Sequence, residues 1–339
     1  MNTMNSSQNR SRRQFIKHTL AGVSALGLHA ELLANTTSWT KTGIPKRPLG
    51  KTGEDVSVIG LGGWHIRAVQ DDNEAFKIID TAIGEGVTFF DNSWDYHDGA
   101  AEELVGNALQ KNGLRKEVFL MTKVCDRDYE GAKKHLEDSL RRFKTNYIDL
   151  WQFHEIIYDN DPEWVFEKGG IKAAVEALES GKVRYVGFTG HKDPRIHLKM
   201  LDQPFEWASV QMPVNPLDAS YRSFQKEVFP VCGKRNIGIV GMKSLGGHGA
   251  SIINNTDLSA DTCIRYALSQ PVSTLVLGMA SMDELKENIK TARDFIPMTE
   301  KEQNDLVDKY KDVAGDGRYE LFKSTQRFDG RNHQKQHGF

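Results

Sequence analysis

From Pro48 onward, short runs of apolar and β-branched residues alternate with longer segments in which apolar residues recur at helical spacing. The longer segments predict amphipathic helices; residues 74–86 place Ala75, Ile78 and Ala82 on one face, with Ile79 and Ile83 beside them. The short runs predict eight strands: Val56–Gly62, Val87–Asp91, Val118–Lys123, Ile148–His154, Val183–Gly190, Ala208–Met212, Ile237–Lys243 and Ser273–Gly278.

Eight strand–helix units, spaced about thirty residues apart, are the number that closes a parallel barrel, so we predict a (β/α)8 TIM barrel of the α/β class. A doubly wound open sheet is the alternative. That fold favours a glycine-rich phosphate turn after its first strand, and GLGGWH at residues 60–65 lacks the G-x-G-x-x-G spacing. Gly50 and Gly53 indicate a turn of a small hairpin that would close the barrel floor.

The chain therefore divides into four predicted segments. Residues 1–34 form an export signal, 35–47 a linker, 48–314 the barrel and 315–339 a C-terminal tail. Residues 299–313 predict a late surface helix, and we expect the polar tail after it to lie over the surface or to be mobile.

The N-terminal segment carries twin arginines, Arg12 and Arg13, ahead of an apolar stretch at Thr19–Ala34. This order resembles a twin-arginine (Tat) export signal, which predicts a periplasmic or extracytoplasmic protein exported in the folded state by the twin-arginine machinery. The alternative is an ordinary basic N-terminus. The apolar stretch is too short for a bilayer helix and contains His29 and Glu31, so we predict no transmembrane span.

Composition supports a soluble globular enzyme, with 39% hydrophobic and 27% charged residues. A net charge of -2 without a long basic patch argues against a nucleic-acid partner. Cys125, Cys232 and Cys263 show no paired spacing typical of a zinc site or a disulfide framework, so the sequence predicts no metal site.

Polar residues at the ends of the predicted strands are the candidates for chemistry, because catalytic groups of a closed barrel lie at the carboxyl ends of its strands. Asp91, Lys123 and His154 end the second, third and fourth strands, and Tyr96 follows the second. Lys123 can pair with Asp91 and lower the pKa of Tyr96, which would then act as general acid or base. His154 would orient the same substrate oxygen. Each residue alone fits a structural role, whereas the four together favour catalysis.

The blocks FFDNSWDYHDGAAEELVGNAL, MTKV and YIDLWQFH, containing these four residues, resemble those of the aldo-keto reductases, and the resemblance extends from Pro48 to about Phe295. It implies an NAD(P)-dependent oxidoreductase that interconverts a carbonyl group and its alcohol by hydride transfer. Asp91, Tyr96, Lys123 and His154 match the catalytic tetrad of that family.

The resemblance also implies cofactor positions. Thr189 and Gln211 would hold the carboxamide, although Gly190 replaces the family's asparagine; Met242 stands where an aromatic residue stacks on the nicotinamide ring. The remaining positions follow the pyrophosphate and the adenosine: Ser244, Leu245, Gly246, Gly278, Ser281, Glu287 and Asn288. Residues 279–285 contain no cation to read a 2′-phosphate, which leaves NADP and NAD both open.

Trp64, His65, Trp94 and His191 are predicted to line the substrate pocket, with His191 filling the space left at Gly190. Aromatic faces and polar edges suit a sugar, and also other aldehydes and ketones. Two alternatives remain. His65, His191 and His248 after strand ends allow a metal-dependent barrel hydrolase, and an intact tetrad is also compatible with a cofactor-retaining binding or regulatory protein.

Overall fold

The computed structural model describes residues 38–39, 42–247 and 249–339. The predicted export signal, residues 1–34, lies outside the described residues. Eight parallel strands close into a barrel in which each strand pairs with the next one along the chain and the last pairs with the first, which confirms the predicted (β/α)8 fold. The barrel strands are Ile59–Gly62 (β4), Phe89–Asp91 (β5), Phe119–Val124 (β6), Ile148–Phe153 (β7), Val183–Thr189 (β8), Ser209–Pro213 (β9), Gly238–Met242 (β10) and Thr274–Leu277 (β11).

Strands such as β6 and β7 are buried on both faces, which explains why they stand out as nearly continuous apolar runs in the sequence. Neighbouring strand ends share one register: Gly62 pairs with Asp91, and Lys123 pairs with Gln152. This register brings the polar residues at the carboxyl ends of β5, β6 and β7 to one end of the barrel, the mouth.

Helices cover the outside of the barrel and follow the predicted amphipathic pattern. The helix Asp72–Gly84 begins where the Asp71 carboxylate accepts a hydrogen bond from the Asn73 amide at 2.9 Å. Its buried face consists of Ala75, Ile78 and Ala82, with Ile79 between them. Up to the late surface helix, the helices are Gly63–Arg67 (α1), Asp72–Gly84 (α2), Ala100–Lys111 (α3), Tyr129–Phe143 (α4), Asp161–Glu167 (α5), Gly170–Glu179 (α6), Pro194–Leu201 (α7), Phe224–Glu227 (α8), Phe229–Arg235 (α9), Ser251–Asn255 (α10), Ala260–Ser269 (α11), Met282–Arg293 (α12) and Glu300–Ala314 (α13).

The predicted hairpin forms a small sheet of its own at the barrel floor. Strands Pro45–Pro48 (β2) and Asp55–Ser57 (β3) pair antiparallel, and Leu49 in their turn packs with Phe89 and Val240 inside the barrel. Within the predicted linker at residues 35–47, Ser38–Trp39 (β1) adds a third strand to β2. Arg47 is buried there and donates hydrogen bonds to the carbonyls of Val272 and Leu268.

The C-terminal tail crosses the barrel mouth in two short helices, Leu321–Ser324 (α14) and Arg331–Gln336 (α15). Phe322, Lys323 and His333 are fully buried. Lys323 pairs with Asp218 and Glu320, so the charge is compensated inside. The tail is therefore part of the packed structure.

Within the described residues, every helix is too short or too polar to cross a lipid bilayer.

Candidate active site

The polar cluster at the barrel mouth is the candidate active site. Two surface clefts of about 770 and about 990 Å³ lie elsewhere, lined by Lys51 and Arg235 in one case and by Arg115 and Tyr147 in the other. Their lining residues precede strands, which places them at the floor end. Barrel enzymes carry their chemistry at the opposite end.

Lys123 and Asp91 form a buried ion pair across the ends of β5 and β6. Their side chains are 1% and 4% exposed, and the Lys123 ammonium donates to the Asp91 carboxylate. The ammonium also donates to the carbonyl of Asn92 at 2.6 Å. The second Asp91 oxygen accepts from Gln211 Nε2 at 2.5 Å. These contacts compensate both charges, as burial requires.

Tyr96 lies on the loop after β5, with its hydroxyl 3.3 Å from Lys123 Nζ. Two features fix this loop. The Trp94 amide donates to the Lys123 carbonyl at 3.1 Å, and His97, Asp98 and Gly99 all have positive φ angles. A side chain at Gly99 would meet the Arg142 guanidinium, so this turn needs glycine.

Contrary to the sequence prediction, the pKa of Tyr96 is raised. Burial is the largest cause, followed by the negative charges of Asp91, Asp95 and Glu155. The lysine beside the hydroxyl was expected to lower the pKa, but it is neutralised by Asp91. The phenol is therefore protonated at neutral pH.

His154 follows β7 and faces three polar atoms through Nδ1. Ser93 Oγ lies at 3.1 Å, Asp95 Oδ1 at 3.3 Å and Cys125 Sγ at 3.6 Å. Ser93 Oγ also donates to Asp95 at 2.6 Å. Burial alone would raise the pKa of Asp95, but the charge and hydrogen bond of His154 outweigh burial and hold that pKa below its usual range.

Residues of the C-terminal tail also contact this polar cluster. The Gly330 amide donates to Glu155 at 2.7 Å, and the His333 ring meets the His154 ring edge to face with centroids 5.2 Å apart. Burial lowers the pKa of His333 to about 4, so its imidazole is neutral at pH 7. Lys192 fixes the same segment through Asp329 at 2.6 Å.

The predicted carboxamide positions lie next to the ion pair. Thr189 and Gln211 are buried at neighbouring strand ends and paired in register. Gln211 Oε1 has no hydrogen-bond partner among the described residues. A buried acceptor without a partner fits the amide group of a nicotinamide. Gly190 leaves no space for the family's asparagine, because an added Cβ would lie 2.3 Å from the Ile156 carbonyl.

The other predicted cofactor positions follow β10 and β11. Met242 ends β10, Ser244 is buried, Leu245 is partly buried, and Gly246 has a φ of 95°. After β11, Ser281 caps α12 by accepting from the Glu284 amide at 3.2 Å, and Asn288 donates to the Gly278 carbonyl at 3.3 Å. Glu287 is exposed on α12.

The structure places the four predicted pocket residues in two different environments. Trp64 is 40% exposed and its ring lies 5.5 Å from that of Tyr96. The His65 ring packs on Gly278, where an added Cβ would lie 2.7 Å from the ring. Trp64 and His65 lie at the barrel mouth, whereas Trp94 and His191 are placed differently from the prediction.

Trp94 turns away from the tetrad. Its ring stacks on His135 of α4 with centroids 3.5 Å apart, and its indole nitrogen donates to Asp138 at 3.3 Å. His191 does not fill the space at Gly190, which is occupied by Ile156 and His197. Instead, His191 Nδ1 lies 2.9 Å from the Phe322 carbonyl, so His191 contacts the tail. His248 lies outside the described residues.

Sequence reasoning missed Asp95, Cys125, Glu155 and His333. Asp95 directly precedes Tyr96 and Glu155 directly follows His154, so their proximity to the tetrad could have been predicted. His333 gave no comparable signal, because its place depends on how the tail docks.

A model of the aldo/keto reductase family matches residues 58–259, which contain the tetrad. "Uncharacterized oxidoreductase YqkF" of Bacillus subtilis is 27% identical over 293 residues, covering 73% of this chain and 90% of the relative. "L-galactose dehydrogenase" of Arabidopsis thaliana is 28% identical over 159 residues, covering 44% of this chain and 49% of the relative. The solved structure of aldo-keto reductase AKR11C1 from Bacillus halodurans in its holo form has a TM-score of 0.64 at 25% identity, covering 78% of this chain and 95% of that chain.

Proposed function

The chain belongs to the aldo/keto reductase family, and from this premise we propose that it reduces an aldehyde, ketone or sugar carbonyl with Tyr96 as the proton donor. As a member of that family it is an oxidoreductase that uses NAD(P)H. The observation that carries the proposal is the buried chain of contacts from Asp91 through Lys123 to the Tyr96 hydroxyl, with the last contact at 3.3 Å.

Tyr96 serves better as an acid than as a base in this site. Burial and the neighbouring carboxylates raise its pKa, so the proton is present at neutral pH. Lys123 donates to the phenol oxygen and would stabilise the negative charge that develops as the proton leaves. Reduction of a carbonyl group is therefore the favoured direction, since alcohol oxidation would begin with a phenolate.

His154 supports the same step as a second donor. Its Nδ1 faces Ser93 and Asp95, which leaves Nε2 as the nitrogen available to a carbonyl oxygen. An Nε2–H would donate to that oxygen, while Asp95 and Ser93 hold the ring through Nδ1. Asp95 is thus proposed as a positioning residue for His154.

The bound nicotinamide dinucleotide would supply the hydride. Gln211 and Thr189 would hold its carboxamide, and Gln211 Oε1 offers a buried acceptor for the amide group. The loop Ser244–Gly246 would face the pyrophosphate, and Gly278, Ser281, Glu287 and Asn288 would face the adenosine. Met242 would pack on the ring.

We propose NAD as the preferred form. Asp283 and Glu284 are exposed in the first turn of α12, beside Ser281. Two carboxylates there repel the doubly charged 2′-phosphate of NADP.

For the substrate, we propose a small polyhydroxylated carbonyl compound. The exposed face of Trp64 stands beside Tyr96, so an apolar ring face lies next to the proposed proton donor. The tail over the mouth restricts size. The likeness to a relative named L-galactose dehydrogenase agrees with a sugar, although the compared region covers half of that protein.

The test is to measure how fast the protein oxidises the reduced cofactor in the presence of a panel of aldehydes, ketones and aldoses. The absorbance of the reduced nicotinamide reports the reaction. We expect turnover with wild type and a fall of roughly 10²–10⁴-fold in kcat for Tyr96→Phe. Tight cofactor binding without turnover of any substrate would favour a binding protein instead. Hydrolysis abolished by a chelator would favour a metal-dependent hydrolase.

We further propose export by the twin-arginine route, based on Arg12 and Arg13 ahead of the apolar stretch. The cofactor would be loaded during cytoplasmic folding and recycled in place by paired oxidation and reduction. Cell fractionation with an Arg12→Lys/Arg13→Lys variant tests export, since this variant is expected to remain in the cytoplasm. Mass spectrometry of exported protein tests loading; protein that arrives without cofactor contradicts it.

A further inference from the structure

A group of four potential metal ligands lies at the inner side of the barrel mouth. Asp95, Cys125, His154 and His333 each offer one ligand atom, and these atoms lie within 4.8 Å of one another. They come from the loop after β5, the end of β6, the end of β7 and the tail. We propose that this group is a zinc site that ties the C-terminal tail to the barrel.

The distances already approach those around a tetrahedral ion. With usual bond lengths, zinc separates a nitrogen ligand from an oxygen ligand by about 3.4 Å and from a sulfur ligand by about 3.6 Å. His154 Nδ1 lies 3.3 Å from Asp95 Oδ1 and 3.6 Å from Cys125 Sγ. Two edges of the tetrahedron are therefore formed before any metal binds.

His333 supplies an independent observation that points to a ligand. The residue is fully buried, its Nε2 makes no hydrogen bond among the described residues, and the Glu155 carboxylate lies 3.8 Å from Nε2, beyond hydrogen-bond distance. A buried nitrogen in this state is unusual in folded proteins unless something binds it. Nδ1 faces Arg127 at 3.4 Å, a long contact that would lengthen when Nε2 ligates and the proton moves to Nδ1.

The type and charge of the ligands select the ion. Two imidazoles, a thiolate and a carboxylate are a set that zinc accepts, whereas magnesium and calcium prefer oxygen alone. One thiolate and one carboxylate neutralise a divalent ion, which suits a buried position. Four protein ligands leave no open position, so the site is structural in type; it shares His154 and Asp95 with the proposed active site, and ligation through Nδ1 leaves His154 Nε2 available to the carbonyl oxygen.

Cobalt titration of the full-length, chelator-treated protein tests the site. We expect one Co²⁺ per chain, tetrahedral ligand-field bands and a thiolate-to-cobalt charge-transfer band. Cys125→Ser removes the charge-transfer band, and His333→Phe weakens binding by at least about 100-fold, more than typical losses of outer-shell partners. Cys263→Ser is the matched control, because Cys263 is also buried but lies outside the group.

Limited proteolysis tests the link to the tail. Zinc should slow cleavage within residues 315–339 at least about tenfold in wild type and in Cys263→Ser, but not in Cys125→Ser. Binding of less than one ion per chain, a charge-transfer band that survives in Cys125→Ser, unchanged affinity in His333→Phe, or equal cleavage with and without zinc would each overturn the proposal.

Discussion

Replacing Asp91 by asparagine tests what the buried ion pair contributes to stability and to catalysis. The substitution keeps the shape of the side chain and leaves the Lys123 ammonium, 1% exposed, without its counter-charge. Breaking a buried pair in this way costs about 3–5 kcal/mol. For a chain of this size, each kcal/mol lowers Tm by about 2 °C, so we expect a loss on the order of 5–10 °C.

The same substitution removes the group that holds Lys123 beside Tyr96. We expect kcat to fall by roughly 10²–10⁴-fold, the usual contribution of a positioned proton donor. Thermal unfolding followed by circular dichroism measures the first effect, and initial rates of reduced cofactor oxidation measure the second. A Tm within about 1 °C of wild type would refute the energetic argument.

Two further variants distinguish stability from catalysis. Asp149→Asn removes a buried carboxylate that pairs with Arg115 at 2.8 Å at the barrel floor, so it should lower Tm without changing kcat. Asp91→Leu/Lys123→Met removes both charges, which is often neutral or stabilising for buried pairs. We expect this double variant to regain most of the lost stability and to remain inactive; recovered activity would exclude the pair from the reaction.

Three other substitutions test separate parts of the site and the fold. Tyr96→Phe should abolish proton donation while the Kd for reduced cofactor, measured by fluorescence, stays within about threefold, and a wild-type kcat would contradict its role. Asp283→Arg should shift the kcat/KM ratio towards NADPH by roughly tenfold or more through a new charge-assisted hydrogen bond; an unchanged ratio would place the 2′-phosphate elsewhere. Burial lowers the pKa of His197 to about 3, so the unfolded chain takes up a proton first as pH falls, and about 2 kcal/mol of stability is lost between pH 6.5 and 4.5. In urea unfolding, His197→Phe should lose about 2 kcal/mol less stability than wild type over the same pH range. Equal losses in the two proteins would contradict a buried neutral imidazole.

The barrel could be predicted from the sequence because parallel strands buried on both faces produce unbroken apolar runs. Val118–Lys123 and Ile148–His154 were predicted within a residue or two of the observed bounds Phe119–Val124 and Ile148–Phe153. The tetrad followed from the same pattern. Register pairs Asp91 with Met121, and Lys123, two residues further on the same face of β6, reaches the Asp91 carboxylate with its side chain.

Side-chain direction in loops could not be predicted in this way. Trp94 and Tyr96 are two residues apart, yet one packs outside on His135 and the other faces Lys123. The direction is set by the three consecutive residues with positive φ that follow Tyr96 and by contacts with α4. Neither the positive φ angles nor the contacts with α4 produce a periodic pattern in the sequence.

The sign of the Tyr96 pKa shift was wrong for a related reason. The sequence shows which charges are present, but not how many of them gather around one hydroxyl. Lys123 is one cation, already paired with Asp91, whereas Asp95 and Glu155 arrive from two other positions on the mouth loops. The balance of a buried site depends on all the groups that fold into it.

The C-terminal tail also influences the charges around Tyr96, because it brings its own polar groups to the mouth. Glu155 accepts a hydrogen bond from the Gly330 amide, and Asp329 pairs with Lys192. Without the tail, Glu155 would face solvent, and solvent would screen its effect on Tyr96. A docked tail therefore keeps Glu155 among the buried carboxylates that raise the pKa of Tyr96, in addition to burial itself and the charges of Asp91 and Asp95.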